Sequence, residues 1–177
     1  MRPKLSVIIP IYGAENSIEK CAESLFRQTL DDIEYIFVND CTPDRSMLVL
    51  QSVIDRYPDR SNQIRIINLL VNSRQAAARN AGLMHAKGEY VIHCDPDDWI
   101  DPTLYEDMYS LASEHDYDIV SCDYFIESKN DSRQLIALPT VDTPMDVLCC
   151  NRYYIFTLWA HMVRHSIINN NSLEFFP

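Results

Sequence analysis

The chain has 177 residues, 47% apolar and 23% charged, with a formal net charge of −11. That length and balance describe one globular domain with room for a sizeable core. The negative charge excludes a nucleic-acid partner, whose phosphate backbone demands a basic face, but not a phosphate-bearing ligand screened by a metal ion.

The chain opens Met1-Arg2-Pro3-Lys4 and runs straight into a strand pattern. The apolar run Leu5 to Ile11 is too short for a membrane span or a signal peptide, and no later stretch approaches a span. The expected location is therefore the cytoplasm, where six scattered cysteines without a CxxC pair read as reduced thiols. Gly13, Gly82 and Gly88 are the only glycines, which excludes the GxGxxG turn and the GxxxxGK[ST] loop as phosphate-binding devices.

Leu5 to Pro10 is apolar almost throughout, the pattern of a strand covered on both faces, with pairing expected to stop at the donor-less Pro10. A turn at Tyr12 to Asn16 precedes a helix over Ser17 to Gln28, with Ile18, Cys21, Ala22, Leu25 and Phe26 on one face. Ile33 to Val38 is a second strand, ending at Asn39-Asp40. Ser46 to Tyr57 reads as a second helix with Met47, Leu50, Val53, Ile54 and Tyr57 inward, stopped by Pro58. Ile64 to Leu69 is a third strand. Gln75 to Ala86 is a helix rich in small residues that lets it lie close on a sheet.

Tyr90 to Cys94 reads as a buried strand that ends in Asp95-Pro96-Asp97-Asp98. Three carboxylates in four residues repel each other and resist burial, and a divalent cation relieves that repulsion. The plainer reading is an acidic loop into a helix, with Asp101 as N-cap and Pro102 at its first position. Those two roles leave Asp95, Asp97 and Asp98 unexplained. Thr103 to Ser113 is then a helix with Leu104, Met108, Leu111 and Ala112 inward. Ile119 to Ile126 is a fifth strand, Glu127 to Arg133 a turn, and Leu135 to Leu138 a short strand. A linker over Pro139 to Pro144 precedes two expected helices, Met145 to Tyr154 and Leu158 to Ile168. Strand and helix alternate, which implies an α/β fold with a mainly parallel, doubly wound sheet flanked by helices.

In such a sheet, ligands bind outside the carboxyl ends of the strands. Tyr12 follows the first strand, Asp40 the second, and Asp95 with Asp97 the fourth, so all lie on one edge. A tyrosine ring stacks on a flat heterocycle. Asp40 is placed to accept from a base N–H, Asp95 to take a sugar hydroxyl, and Asp97 to hold a metal bridging two phosphates. Together they describe a nucleoside diphosphate site built without glycines. Packing is the alternative for Tyr12, and a turn cap for Asp40. Arg79 beside the same edge suits diphosphate recognition or an ion pair with a nearby carboxylate. His161 and His165 stand i, i+4 on an expected helix, but no HExxH or third ligand supports zinc.

These residues resemble a known family. Ser6-Val7-Ile8-Ile9-Pro10-Ile11-Tyr12, Ser24 to Thr29, Val38-Asn39-Asp40-Cys41-Thr42, Ala78-Arg79-Asn80-Ala81-Gly82-Leu83 and Gly88-Glu89-Tyr90 through Trp99 look, in order, like family 2 glycosyltransferases of the GT-A fold. The resemblance implies an inverting, metal-dependent transfer of a sugar from a nucleotide-diphosphate donor, usually a UDP-sugar, onto an acceptor hydroxyl, in polysaccharide or cell-envelope glycan synthesis. It matches Asp97 to the metal-binding residue of the DxD motif, with Mn²⁺ or Mg²⁺ as the ion. It matches Asp95 to the ribose contact, Asp40 to the residue reading the uracil edge, and Pro10 and Tyr12 to the loop against the base. Gly13 stands where the family usually has Asn, Asn39 replaces the first of a usual Asp-Asp pair, and Ser73-Arg74 replace frequent glycines.

The family's general base is a carboxylate downstream of a segment resembling Trp159 to Phe176, so the catalytic base is expected beyond Pro177. The expected division is a nucleotide-sugar-binding domain over 1–134 and the start of an acceptor-side portion over 135–177, in a truncated enzyme. Its acceptor would be a glycan or a lipid-linked one, with peripheral membrane association through missing parts. Competing readings are a non-catalytic nucleotide-sugar-binding module and a sugar-phosphate nucleotidyltransferase. The latter wants a glycine-rich basic loop after the first strand, which Pro10 to Asn16 lacks.

Overall fold

A computed structural model describes residues 2–128, 132–138 and 157–176. Four parallel strands form the centre: β1 (Leu5–Ile11), β2 (Ile33–Asn39), β3 (Ile64–Asn68) and β4 (Tyr90–His93). Between them run α1 (Ile18–Phe26), α2 (Ser46–Ile54) with a 3₁₀ turn at Pro58–Gln63, and α3 (Arg74–His85). Then follow α4 (Leu104–His115), β5 (Ile119–Ser121), the hairpin strands β6 (Tyr124–Glu127) and β7 (Arg133–Ile136), β8 (His161–Arg164) and α5 (His165–Asn170). The main sheet has the order β3-β2-β1-β4-β8-β5, and β6 and β7 form a separate pair.

The apolar runs of β1 and β2 are buried on both faces, as a parallel strand between helices requires. Leu5, Val7, Ile9 and Ile11 join the larger core under α1, α2 and α4. Ile8, Ile36 and Val38 face the smaller core with Ala78 of α3. The expected inner face of α1 is fully buried. Gly82 of α3 sits so close to β1 that an added Cβ would lie 2.4 Å from Ile8 Cγ2. The small residues of α3 let this helix approach.

Several expectations change. Pairing of β1 does not stop at Pro10 but runs on to Ile11 opposite Asn39. Cys94 donates to Ile8 O on the β4 flank and Asp40 to Ile11 O on the β2 flank. By alternation Pro10 faces β4, where pairing has already ended, so its missing N–H breaks nothing. The expected fifth strand divides: Ile119–Ser121 joins the main sheet and Tyr124–Glu127 turns away into the hairpin. In α4, Leu111 is 44% exposed and Tyr105 is buried instead. Asp101 is not the N-cap of α4, which is Thr103; its Oδ1 accepts the Thr103 N–H at 3.1 Å in a turn ahead of the helix.

The largest correction is at 158–168. Only residues 165 onward are α-helical; Leu158–Ala160 is a 3₁₀ turn, and His161–Arg164 is an antiparallel strand between β4 and β5. His161 bonds Ser121 and His165 bonds the Gly88 carbonyl, so the two histidines share no helix face. The expected linker and the helix at 145–154 lie outside the described residues.

Candidate functional site

β1, β2 and β4 run parallel, so the residues that follow them gather at one edge of the sheet. A cleft of about 350 Å³ there is lined by Pro10, Tyr12, Asp40, Asn72, Arg74 and Pro96, among others. Tyr12 is half exposed and lines this cleft. Asp40 is buried, and its Oδ1 accepts the backbone N–H of Ser73 at 2.7 Å. Asn39 is structural in its contacts: its Oδ1 accepts from Thr42 N at 3.0 Å and its Nδ2 donates to Asn68 Oδ1 at 2.9 Å.

The loops behind this rim are held by side chains in place of glycines. Gly13 N donates to Thr42 Oγ1, Ala14 N to Ser46 Oγ and Glu15 N to Asp44 Oδ2. Burial works against ionising Asp44, yet bonds from Ser46, Thr42 and the Glu15 N–H hold its carboxyl down at about 2. Cys41 and Arg74 take left-handed backbone angles, φ 54° and 69°, which non-glycine residues adopt only under constraint.

Asp95 and Asp97 part ways. Asp95 Oδ1 accepts from Arg79 Nη2 at 2.7 Å and from Gln75 Nε2 at 3.1 Å. Oδ2 has no hydrogen-bond partner among the described residues. Arg79 is thus committed to an ion pair. Asp97 is exposed and lines a second cleft, of about 840 Å³, with Asp98, Trp99, Tyr124 and Trp159. Pro96 belongs to the first cleft and Asp97, the next residue, to the second.

Asp98 is pushed up to about 6, first by burial and then by the charges of Asp97 and Asp95. No group of three or more His, Cys, Asp or Glu side chains that could hold a metal is formed among the described residues. Magnesium-type binding needs only one or two carboxylates, with phosphate oxygens and water completing the shell. Exposed Asp97 beside a crowded, repelling pair fits that mode.

Behind Asp95 lies a small buried cluster. Arg79 Nε and His93 Nδ1 are both buried without a hydrogen-bond partner among the described residues. Burial, then the charge of Arg79, pushes the His93 imidazole down to about 3, so it is neutral. The Phe175 ring stands edge-on to His93 at 5.1 Å and lies 5.8 Å from the Arg79 guanidinium. Asn80 donates from Nδ2 to Phe175 O and accepts Phe175 N–H at Oδ1, both at 2.8 Å. Sequence reasoning missed His93, Asn80 and Phe175. A histidine inside an apolar strand and an aromatic pair near residue 176 were the available signals.

Comparison with known proteins places this geometry. The sequence profile described as "Glycosyl transferase family 2" matches residues 6–138. The chain is 31% identical over 184 residues to the uncharacterized glycosyltransferase EpsJ of Bacillus subtilis, covering 99% of this chain and 52% of that protein. It is 32% identical to the uncharacterized glycosyltransferase YibD of Escherichia coli, covering 97% and 52%. The chain therefore spans about half the length of the curated relatives it matches. Among solved structures it resembles TarS 1-349 of S. aureus in complex with UDP, with a TM-score of 0.77 at 23% identity over 98% of this chain and 50% of that one. It also resembles the mannosyltransferase PcManGT of Pyrobaculum calidifontis in complex with GDP-Man and Mn²⁺, with a TM-score of 0.72 at 19% identity over 100% and 48%. These likenesses show a GT-A fold.

Proposed function

The chain belongs to glycosyl transferase family 2, and from that premise we propose that it is the donor-binding portion of an enzyme that moves a sugar, with inversion, from a UDP-sugar to an acceptor hydroxyl of a growing cell-envelope glycan. The observation that carries this reading is the shared rim. Tyr12, Asp40 and Pro96 surround one cleft, and Asp97 lies one residue beyond Pro96 in the next. A base between Tyr12 and Asp40, a ribose at Asp95 Oδ2 and a diphosphate at Asp97 follow the order of groups in a nucleoside diphosphate. That TarS was solved with UDP and with UDP-GlcNAc supports a uridine donor.

The roles divide by chemistry. The Tyr12 ring offers a face to a base. The buried carboxylate of Asp40, fixed by the Ser73 N–H, is placed to accept a base N–H. Asp97, with Asp98 beside it, would hold Mn²⁺ or Mg²⁺, which supplies Lewis-acid stabilisation of the departing diphosphate. Pro10 shapes the wall against the base. The acceptor hydroxyl needs a carboxylate base to take its proton. We assign that base to the half of the relatives' length that this chain does not span.

Residues 1–134 form the donor side in this reading, and 135–177 open the acceptor side, although β8 from that stretch completes the main sheet. The acceptor is a glycan or a lipid-linked one, met at the cytoplasmic membrane surface. Among the described residues no helix is long and apolar enough to cross a membrane.

Calorimetric titration of this chain with UDP, GDP and UDP-sugars, with and without Mn²⁺, tests the reading. UDP binding that tightens with Mn²⁺ is the expected result. No binding of any nucleotide under either condition overturns it.

A further inference from the structure

Asp95, the carboxylate that the proposed function gives to the donor ribose, is linked through Arg79 to a residue 80 positions downstream. Asn80 and Phe175 exchange two hydrogen bonds through the Phe175 backbone, both 2.8 Å, the pattern by which one strand residue pairs with another. That pairing fixes Phe175 against α3 and lays its ring over the Arg79 guanidinium and the edge of His93. Beneath the ring, Arg79 Nε and His93 Nδ1 are sealed from water. Arg79 then has one outlet for its charge, Asp95 Oδ1 at 2.7 Å. A pair dehydrated on one side is stronger and stiffer than one in water.

We propose that Phe175 and Asn80 are positioning residues for donor recognition: together they hold Arg79 against Asp95, and so preset the carboxylate that takes the donor ribose. The idea rests on the proposed function, since it needs a nucleotide in the rim cleft. It extends that reading by making residues 173–176, far from the motifs in sequence, part of the donor site. Any downstream portion that shifts this segment also shifts Asp95.

The test compares the affinities of the whole chain for UDP and for 2′,3′-dideoxy-UDP, with Mn²⁺ present, by calorimetry. The unaltered chain should prefer UDP by about tenfold, the size of one charge-assisted hydrogen bond. Phe175→Ala and Asn80→Ala should bring that preference below about threefold, while dideoxy-UDP affinity stays within about twofold. Phe175→Leu, which keeps an apolar cover, should fall between, and it answers the question if the alanine variants do not fold. Equal losses on both ligands, or an unchanged preference in folded variants, overturn the proposal and leave the proposed function standing. Absence of UDP binding by the unaltered chain overturns both.

Discussion

The Ser73 N–H points at Asp40 Oδ1 from 2.7 Å, so the loop ahead of α3 fixes the carboxylate that ends β2. The two residues are 33 positions apart, and the β2–β3 pairing brings them together.

Asp40→Asn separates recognition from folding. The carboxamide oxygen still accepts from Ser73, so thermal stability should change little. UDP affinity should fall about tenfold, because an amide accepts a base N–H less strongly than a carboxylate. Inorganic pyrophosphate, which lacks the base, should lose almost nothing. Equal losses for both ligands by calorimetry count against a base-reading role. Asp40→Ala, by contrast, leaves a buried N–H unmatched and should destabilise by about 1–3 kcal/mol.

Asp97→Ala should remove the Mn²⁺-dependent part of UDP binding. The side chain is exposed, so the melting temperature should barely move, as for most surface substitutions, within about 0.5 kcal/mol. Titration with and without Mn²⁺ reads this directly. A variant that still tightens on UDP with Mn²⁺ would move the metal site elsewhere on the loop.

The two close-packed glycines should differ in cost. An alanine at Gly82 meets the buried Ile8 side chain, whose methyl must shift, and overpacking of this kind costs about 1–3 kcal/mol. An alanine at Gly88 meets the Ser6 backbone nitrogen at 2.4 Å, which cannot turn aside. It also disturbs the bonds from Gly88 N to Ser6 and Glu34. Urea unfolding should rank Gly88→Ala well below Gly82→Ala in stability, and the reverse order would count against this packing.

His93 should make stability pH-dependent. Its imidazole titrates at about 3 in the folded chain against 6.5 when free, because burial and Arg79 oppose the charge. Since the unfolded chain takes up the proton first, this contribution is intact above about pH 6.5 and is lost as pH falls toward 3. The slope approaches about 1.4 kcal/mol per pH unit. His93→Phe keeps an aromatic edge for Phe175 and removes the titration. The difference in unfolding free energy between the two chains should therefore shrink or reverse in the variant's favour between pH 7 and 4. A constant difference across that range would show that His93 is not buried neutral.

The sequence alone determined the parallel centre and its rim. Runs such as Leu5 to Ile11 and Ile33 to Val38 are apolar almost throughout, the pattern of strands covered on both faces, and the spacing of Ile18, Cys21, Ala22, Leu25 and Phe26 is that of a helix with one inner face. With three parallel strands in place, chain direction alone brings Tyr12, Asp40 and Asp95 to one edge. What only the tertiary structure decided were the partners. His161–Arg164 is too short and too mixed to announce a strand, and it becomes one because β4 and β5 offer it two open edges. Arg79 pairs with Asp95, and Phe175, nearly a hundred residues on, lies against it. Periodicity records whether a residue is buried, through its own side chain. It carries no record of which distant group does the burying.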